Sequence, residues 1–284
     1  MKSISYYNGV TGPAETMTVP LLDRALFFGD GCYEAAFIMN GHALDLEDHL
    51  RRFSNSMRLM RITPPWTVEE LRSILTGLID SCLEAPGETG MIYWQCSRGT
   101  APRSHCFPPA EVRPNLLATV NPKAAPDVWT PAAMITGPDT RYFHCNIKTL
   151  NLFPNVMANQ NAKEAGAVEQ LFIRPDNTVT EGSHTNLFIL RDGVLRTHET
   201  DERILPGITR LHILEVAQQL GIPVVEKAFS PDELRAADEI FISGSSTFLK
   251  RCHLLDGQPA GMKDESAYRA LAQAYLDRAD RVTQ

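Results

Sequence analysis

The dipeptide Asn40-Gly41 stands between the apolar run Tyr33–Met39 and the short stretch His42-Ala43-Leu44. Both residues tolerate the positive φ of a type I′ turn, so the pattern predicts a β-hairpin. Asp45 is placed to cap a helix over residues 46–60. There Leu46, Leu50, Phe53, Met57 and Met60 recur every three to four positions as one apolar stripe, with Arg51 and Arg52 projecting away from it. Strand signals recur at 4–9, 91–96 and 115–120. Between them Thr67-Val68-Glu69-Glu70 reads as the capping box of a helix carrying Leu71, Ile74, Leu75, Leu78 and Ile79 on one face. Strands alternating with amphipathic helices put the chain in the α/β (mixed α+β) class.

The polar, proline-bracketed stretch Asn121-Pro122-Lys123-Ala124-Ala125-Pro126-Asp127 reads as a linker between an N-terminal domain, 1–120, and a C-terminal domain, 128–284. In the second half a helix is expected after Lys148, ending near Ala165 with Gly166 beyond it. Strands follow at 169–173 and 186–190, and Asp192-Gly193 signals another hairpin. Pro206-Gly207 opens a helix that stops at Gly221. After it come a capping Ser230, a strand at 239–243 and a closing amphipathic helix over 265–280.

A net charge of −7 with no Lys/Arg cluster argues against nucleic acid and anionic membrane as partners. No apolar run is long enough to span a bilayer, and MKSISYYNGV has no apolar signal core. Cysteines 32, 82, 96, 106, 145 and 252 lie far apart without CxxC spacing. That suggests neither a zinc site nor a disulfide framework, and fits a cytoplasmic protein with reduced thiols. HExxH, GxGxxG and P-loop patterns are absent, so metal, dinucleotide and nucleoside-triphosphate chemistry have no motif.

Four stretches carry chemistry. Lys148 sits in Cys145-Asn146-Ile147-Lys148-Thr149-Leu150-Asn151-Leu152 with no acidic residue within five positions. Desolvation without a counter-ion disfavours an ammonium, the condition under which a lysine forms a Schiff base with an aldehyde cofactor. A snorkelling lysine has the same local sequence. Arg103 and His105, two apart in Pro102-Arg103-Ser104-His105, face one side of an extended segment and form a carboxylate clamp or a plain polar loop. Pro206-Gly207-Ile208-Thr209 leaves free amides at a helix start, an anion site by geometry and dipole. The fourth is the run Thr178-Val179-Thr180-Glu181-Gly182-Ser183-His184-Thr185-Asn186.

In this order and spacing, the stretches around Lys148, Glu181 and Leu205–Arg210 resemble the fold-type IV pyridoxal 5'-phosphate (PLP) enzymes nearly end to end. These include D-amino acid, branched-chain and (R)-amine transaminases and aminodeoxychorismate lyase. The resemblance implies a small N-terminal α/β sandwich and a larger C-terminal α/β pseudo-barrel, with the active site at a homodimer interface. It implies that Lys148 binds the cofactor and moves the Cα proton, and that Glu181 faces the pyridine nitrogen. Phe28-Gly29-Asp30-Gly31-Cys32-Tyr33-Glu34 is similar to the GDGVYE signature and sets Tyr33 over the active site. Arg52, in His49-Leu50-Arg51-Arg52-Phe53, is implied as a phosphate ligand. So are the Ile208 and Thr209 amides, the Thr209 hydroxyl, and Gly244-Ser245 at the end of the 239–243 strand.

The Pro-Arg-x-His run looks closest to bacterial D-amino acid transaminases, in which Arg103, His105 and Tyr33 would hold the substrate carboxylate. The expected partners are therefore a D-amino acid donor and a 2-oxo acid acceptor. A branched-chain or (R)-amine transaminase, the lyase, and a catalytically silent PLP-binding protein are the alternatives. His184, where such transaminases usually carry serine, and Asn146, in place of an aspartate, depart from the pattern.

Overall fold

The computed structural model describes all 284 residues, Met1–Gln284, as two compact units. The first comprises Met1–Ala125, Ile147–Asn151 and Ala279–Gln284; the second comprises Pro126–Asn146 and Leu152–Arg278. The segment around Lys148 and the chain end, expected in the C-terminal domain, thus pack with the first unit. Main-chain bonding accounts for the first of these, since Thr149 bridges Cys32 and Leu150 N–H donates to Gly31 O.

In the first unit β1 (Ile4–Tyr7), β2 (Val10–Gly12), β3 (Gly31–Met39), β4 (His42–Ala43), β5 (Gly90–Ser97) and β6 (Asn115–Pro122) form one antiparallel sheet, ordered β2-β1-β6-β5-β3-β4. The β3–β4 turn has φ of 51° at Asn40 and 83° at Gly41, as its dipeptide requires. Helices α1 (Arg24–Phe28), α2 (Leu46–Leu59) and α3 (Val68–Cys82) complete the unit. Leu50, Phe53 and Met57 of α2 and Leu71, Leu75, Leu78 and Ile79 of α3 are buried with Trp94, Ile92 and Ala36 of the sheet. The capping box of α3 is present: Glu70 N–H donates to Thr67 Oγ1, and Thr67 N–H donates to Glu70.

One expectation for α2 fails. Asp45 has φ 55°, and its side chain does not cap the helix, because an N-cap needs an extended residue whose oxygen turns back on the first amides. Arg52, off the apolar stripe, is buried all the same, because β3 presents Glu34 to that face of the helix.

The second unit holds β7 (Ala132–Pro138), β8 (Glu169–Ile173), β9 (Val179–Gly182), β10 (Asn186–Arg191), β11 (Val194–Thr197), β12 (Val224–Glu226), β13 (Glu239–Gly244), β14 (Phe248–Leu255) and β15 (Gln258–Pro259). They form a mixed sheet ordered β12-β11-β10-β13-β14-β7-β8-β9, with β15 beside β14. Edge strand β9 runs through the turn 183–185 into β10, which lies well inside the same sheet, so the sheet curls on itself. That is the pseudo-barrel.

Helices α4 (Phe153–Glu164), α5 (Ile208–Gln219), α6 (Pro231–Ala236) and α7 (Glu265–Thr283) belong to this unit, except for the last residues of α7. Leu187, Ile189, Ile240 and Ile242 pack on one side of the sheet with Leu234 and Phe229. Phe188 stacks on Phe241, which meets Tyr268 of α7 edge-on. Gly166 and Gly221 follow α4 and α5 with φ near 70°, the left-handed stop expected at both ends. No helix is long and apolar enough to cross a membrane.

Candidate active site

In the first unit Lys148 lies along the start of β3. Tyr33 N–H donates to its carbonyl at 2.9 Å, and its own N–H approaches Ser56 Oγ at 3.4 Å. This pairing hangs the side chain over Tyr33, with Nζ 4.4 Å from the ring centroid. Tyr33 in turn stacks on Tyr93 at 5.5 Å, which sets the plane of the ring. Lysine and tyrosine thus come together through backbone pairing across more than a hundred residues.

Behind them lies a buried cluster that sequence reasoning missed. Glu34 is wholly buried and receives Arg52 as a two-pronged fork, Nε to Oε1 at 2.7 Å and Nη2 to Oε2 at 2.8 Å. His49 Nδ1 approaches Oε2 at 2.7 Å. Burial opposes ionisation of Glu34, but the Arg52 charge and the hydrogen bonds of Arg52 and His49 outweigh it and hold the carboxyl down at about 2. Burial lowers His49, and the charges of Arg52 and Lys148 lower it further against the pull of Glu34. The neutral ring donates its Nδ1–H to the carboxylate. Glu34 stands inside the FGDGCYE run, one residue from Tyr33. The alternation of β3 was the signal that it faces the other way.

Arg103 and His105 lie on an exposed segment, 102–107, and meet the same ring. The Arg103 guanidinium carbon is 5.1 Å from the Phe28 centroid, and the His105 ring is 5.4 Å away.

In the second unit Glu181, on β9, is 4% exposed and fully hydrogen-bonded. Arg141 Nη1 donates to Oε1 at 2.6 Å, Asn186 Nδ2 donates to Oε2 at 2.9 Å, and Leu205 N–H spans both oxygens at 3.1–3.2 Å. Arg141 is held by Asp139 through two bonds of 2.9–3.0 Å and lies over the Phe172 ring. Arg174 Nε also pairs with Asp139, at 3.1 Å from the same Oδ2 that Arg141 Nη2 bonds. Burial pushes the Glu181 carboxyl up to about 7, against the pull of Arg141 and the Leu205 amide. Burial also opposes the Arg141 charge, but Glu181 and Asp139 overcome it, so the guanidinium stays cationic. Asp139 and Arg141 carry no motif; only the packing of 139–141 on β8 and β9 brings them to Glu181.

The turn between Glu181 and Asn186 is anchored on one buried carboxylate, Glu169. It accepts from Ser183 N–H, Ser183 Oγ–H and Thr185 Oγ1–H at 2.5–2.9 Å, and His184 Nδ1 lies 3.0 Å away. Burial opposes ionisation of Glu169, and these partners hold it low. His184 is 46% exposed, so its pairing is partly screened.

The donor set of this unit fits a phosphorylated pyridine. Helix α5 begins at Gly207 without a side-chain cap, which leaves the Ile208 and Thr209 amides open at its positive end. A Cβ on Gly207 would collide with Asn186 Oδ1, so glycine is needed where the helix start meets the residue that holds Glu181. Ser243 is the cross-strand partner of Asn186, and its buried Oγ has no partner. Gly244 and Ser245 follow it directly, so open amides, hydroxyls and a carboxyl near 7 sit in one contiguous stretch of fold.

The family comparison decides the class. Residues 31–253 match the model of amino-transferase class IV. The chain belongs to that family. The family is PLP-dependent, and this member is an aminotransferase. Among curated relatives, a D-alanine aminotransferase of Staphylococcus aureus (strain MSSA476) is 37% identical over 261 residues, covering 91% of each chain. One of Bacillus licheniformis is 36% identical, covering 90% of this chain and 89% of its own. Among solved structures, the branched-chain aminotransferase of Thermoproteus uzoniensis superposes with a TM-score of 0.87 at 24% identity, covering 97% of this chain and 94% of its own, and shows the fold alone. The T.th. branched-chain amino acid aminotransferase, complexed with N-(5'-phosphopyridoxyl)-L-glutamate, gives 0.86 at 25% identity, covering 97% and 93%.

Proposed function

We propose that this aminotransferase moves the amino group of D-amino acids, D-alanine among them, to a 2-oxo acid such as 2-oxoglutarate by a ping-pong reaction. The observation that carries the reading is Arg103 and His105 gathered on the Phe28 ring, in a chain 36–37% identical to D-alanine aminotransferases. A guanidinium and an imidazole on one side of an exposed segment suit a carboxylate, and an amine without one gives them nothing to bind.

When bound, PLP supplies the aldehyde that captures the amine and the electron sink that acidifies its Cα–H. Arg52, the Ile208 and Thr209 amides, the Thr209 hydroxyl and Gly244-Ser245 are the groups that would hold its phosphate, and Lys148 is the amine that would bind its aldehyde. Glu34 and His49 keep the Arg52 fork in one orientation. Glu181, with its carboxyl raised to about 7 by burial, is matched to a pyridine nitrogen and would keep a proton there. Lys148 takes the proton from Cα of the donor and, in the return half-reaction, delivers one to Cα of the new amino acid. Tyr33, Arg103 and His105 hold the α-carboxylate, and the side from which they hold it selects the enantiomer that shows its Cα–H to Lys148.

Exposed Leu21, Leu22 and Leu26 on the first unit, and Phe153, Val156 and Met157 on the second, suit burial between two copies of the chain, so the working form is a homodimer with its active site near the interface. Six free cysteines suit a reducing, cytoplasmic setting.

The test mixes the holoenzyme separately with D-alanine, L-leucine and (R)-1-phenylethylamine, without keto acid, and follows cofactor absorbance. Rapid conversion to the amine form of the cofactor with D-alanine alone is expected. Conversion only with L-leucine overturns the substrate assignment and points to a branched-chain enzyme. A best response to the amine points to an (R)-amine transaminase.

A further inference from the structure

The segment 102–107 carries Arg103 and His105, yet its main chain makes a single hydrogen bond. Arg24 Nη1 donates to the Ser104 carbonyl at 2.7 Å, midway between the two side chains. Arg24 is 3% exposed on the short helix α1, and its Nε donates to Asp30 Oδ2 at 2.8 Å. Its guanidinium carbon lies 4.9 Å from the Phe28 ring centroid, against the ring that Arg103 and His105 also meet.

Asp30 is shared. Arg98 binds it through Nε and Nη2 at 2.9–3.1 Å, donates from Nη2 to the Met60 carbonyl and from Nη1 to the Arg61 carbonyl, and lies 3.8 Å from the Phe107 ring centroid. Burial works against the Asp30 charge, and the two arginines overcome it and hold its carboxyl low. One carboxylate therefore aligns two guanidinium groups. One of them reaches the middle of the segment and the other its end. Upstream, Ala101 N–H bonds to Leu22 O and Arg24 N–H to Gly99 O, so the approach to the segment is already fixed.

We propose that Arg24 is a positioning residue for donor and acceptor carboxylates: anchored by Asp30, it holds the Ser104 carbonyl and, with Phe28, sets the spacing and direction of Arg103 and His105. The proposal rests on the reading of Arg103 and His105 as the carboxylate clamp. It goes beyond that reading by assigning the precision of the clamp to a buried arginine that touches no substrate. A short segment whose main chain has one hydrogen bond samples more directions at its middle once that bond is lost, even with Phe107 held at its end, and ordering it must then be driven by each binding event. The loss falls on binding of carboxylates and leaves proton transfer at Lys148 alone.

The experiment uses the holoenzyme and three variants. Arg24→Lys keeps a cation beside Asp30 but lacks the fork that reaches Ser104 O. Phe28→Leu removes the shared ring while keeping its volume nearly filled. Arg103→Ala reports on the clamp itself. Steady-state kinetics with D-alanine are paired with inhibition by propionate, a carboxylate with no amine. Arg24→Lys is expected to raise KM for D-alanine and Ki for propionate together, each about tenfold, as for loss of one hydrogen bond from a charged donor, with kcat within about twofold. Phe28→Leu is expected to change the same two constants in the same direction, and it carries the test should Arg24→Lys fold poorly. If Arg103→Ala raises both constants while Arg24→Lys and Phe28→Leu raise neither, the positioning role is overturned and the clamp stands. If Arg24→Lys lowers kcat in step with kcat/KM and leaves Ki unchanged, the residue is structural and the proposal is wrong. If Arg103→Ala changes neither constant, the clamp reading itself falls, and this inference with it.

Discussion

Replacing Glu34 by glutamine tests the buried cluster behind Lys148. The amide keeps the shape of the carboxyl but removes its charge. Its NH2 group also turns a donor toward either Arg52 or His49, where both oxygens now accept. A carboxyl held at about 2 in the folded chain, against an ordinary 4.5, stabilises that chain by about 3 kcal/mol near neutral pH. Breaking a buried ion pair from one side costs a similar ~3–5 kcal/mol. For a chain of this size about 2 °C of Tm follows each kcal/mol, so Glu34→Gln is expected to melt roughly 6 °C lower at pH 7. The sign of the pH dependence is set by the depression. The stabilisation is complete above the unfolded value of 4.5 and disappears as pH falls toward 2, so the gap between parent and variant narrows over that window. Calorimetry on both proteins, stripped of cofactor so that ligand binding does not enter, gives the two melting curves across pH. A gap below about 1 °C at pH 7, or one that stays constant down to pH 3, refutes the reasoning.

The remaining predictions concern the site and its supports. Lys148→Ala is expected to lose transamination by ~10²–10⁴-fold and to lose the absorbance of the lysine-bound cofactor, both read in one spectrophotometer; retained turnover sinks its assignment. Glu181→Gln keeps the hydrogen-bond shape but not the charge, and a fall in kcat of about a hundredfold is expected with KM little changed; equal kcat would show that the ring nitrogen needs no carboxylate. Gly207→Ala forces a Cβ into Asn186, so equilibrium titration should show weaker cofactor binding, and an unchanged Kd would remove the helix start from the phosphate site. His184→Ser removes half-exposed ring contacts with Glu169, Ser183 and Asn159 and is expected to shift stability by less than about 1 kcal/mol in denaturant melts; a larger loss would mean that the histidine holds the Glu181 turn.

Apart from the Asp45 cap, local chemistry was legible in the sequence where neighbours along the chain make it. The type I′ turn at Asn40-Gly41, the Thr67 capping box, the Ser230 cap and the glycine stops at 166 and 221 are set by dihedral preference and by donors a few residues away, and all appear as expected. Lys148 and the start of α5 were marked by the chemistry of their own short stretches, and Glu181 by the resemblance that the run Thr178–Asn186 carries.

What the tertiary structure alone decided is which distant charges meet. Arg52 projects away from the apolar stripe of its helix, and nothing near it in the chain names a partner until β3 sets Glu34 against it. Arg141 and Asp139 show no pattern until the second unit folds them onto Glu181. Arg24 and Arg98 acquire their purpose only when Asp30 aligns both toward the segment that carries Arg103 and His105. A buried charge is tolerated only with a partner, and that partner comes from whatever strand or helix packing brings within about 3 Å, which no local period encodes.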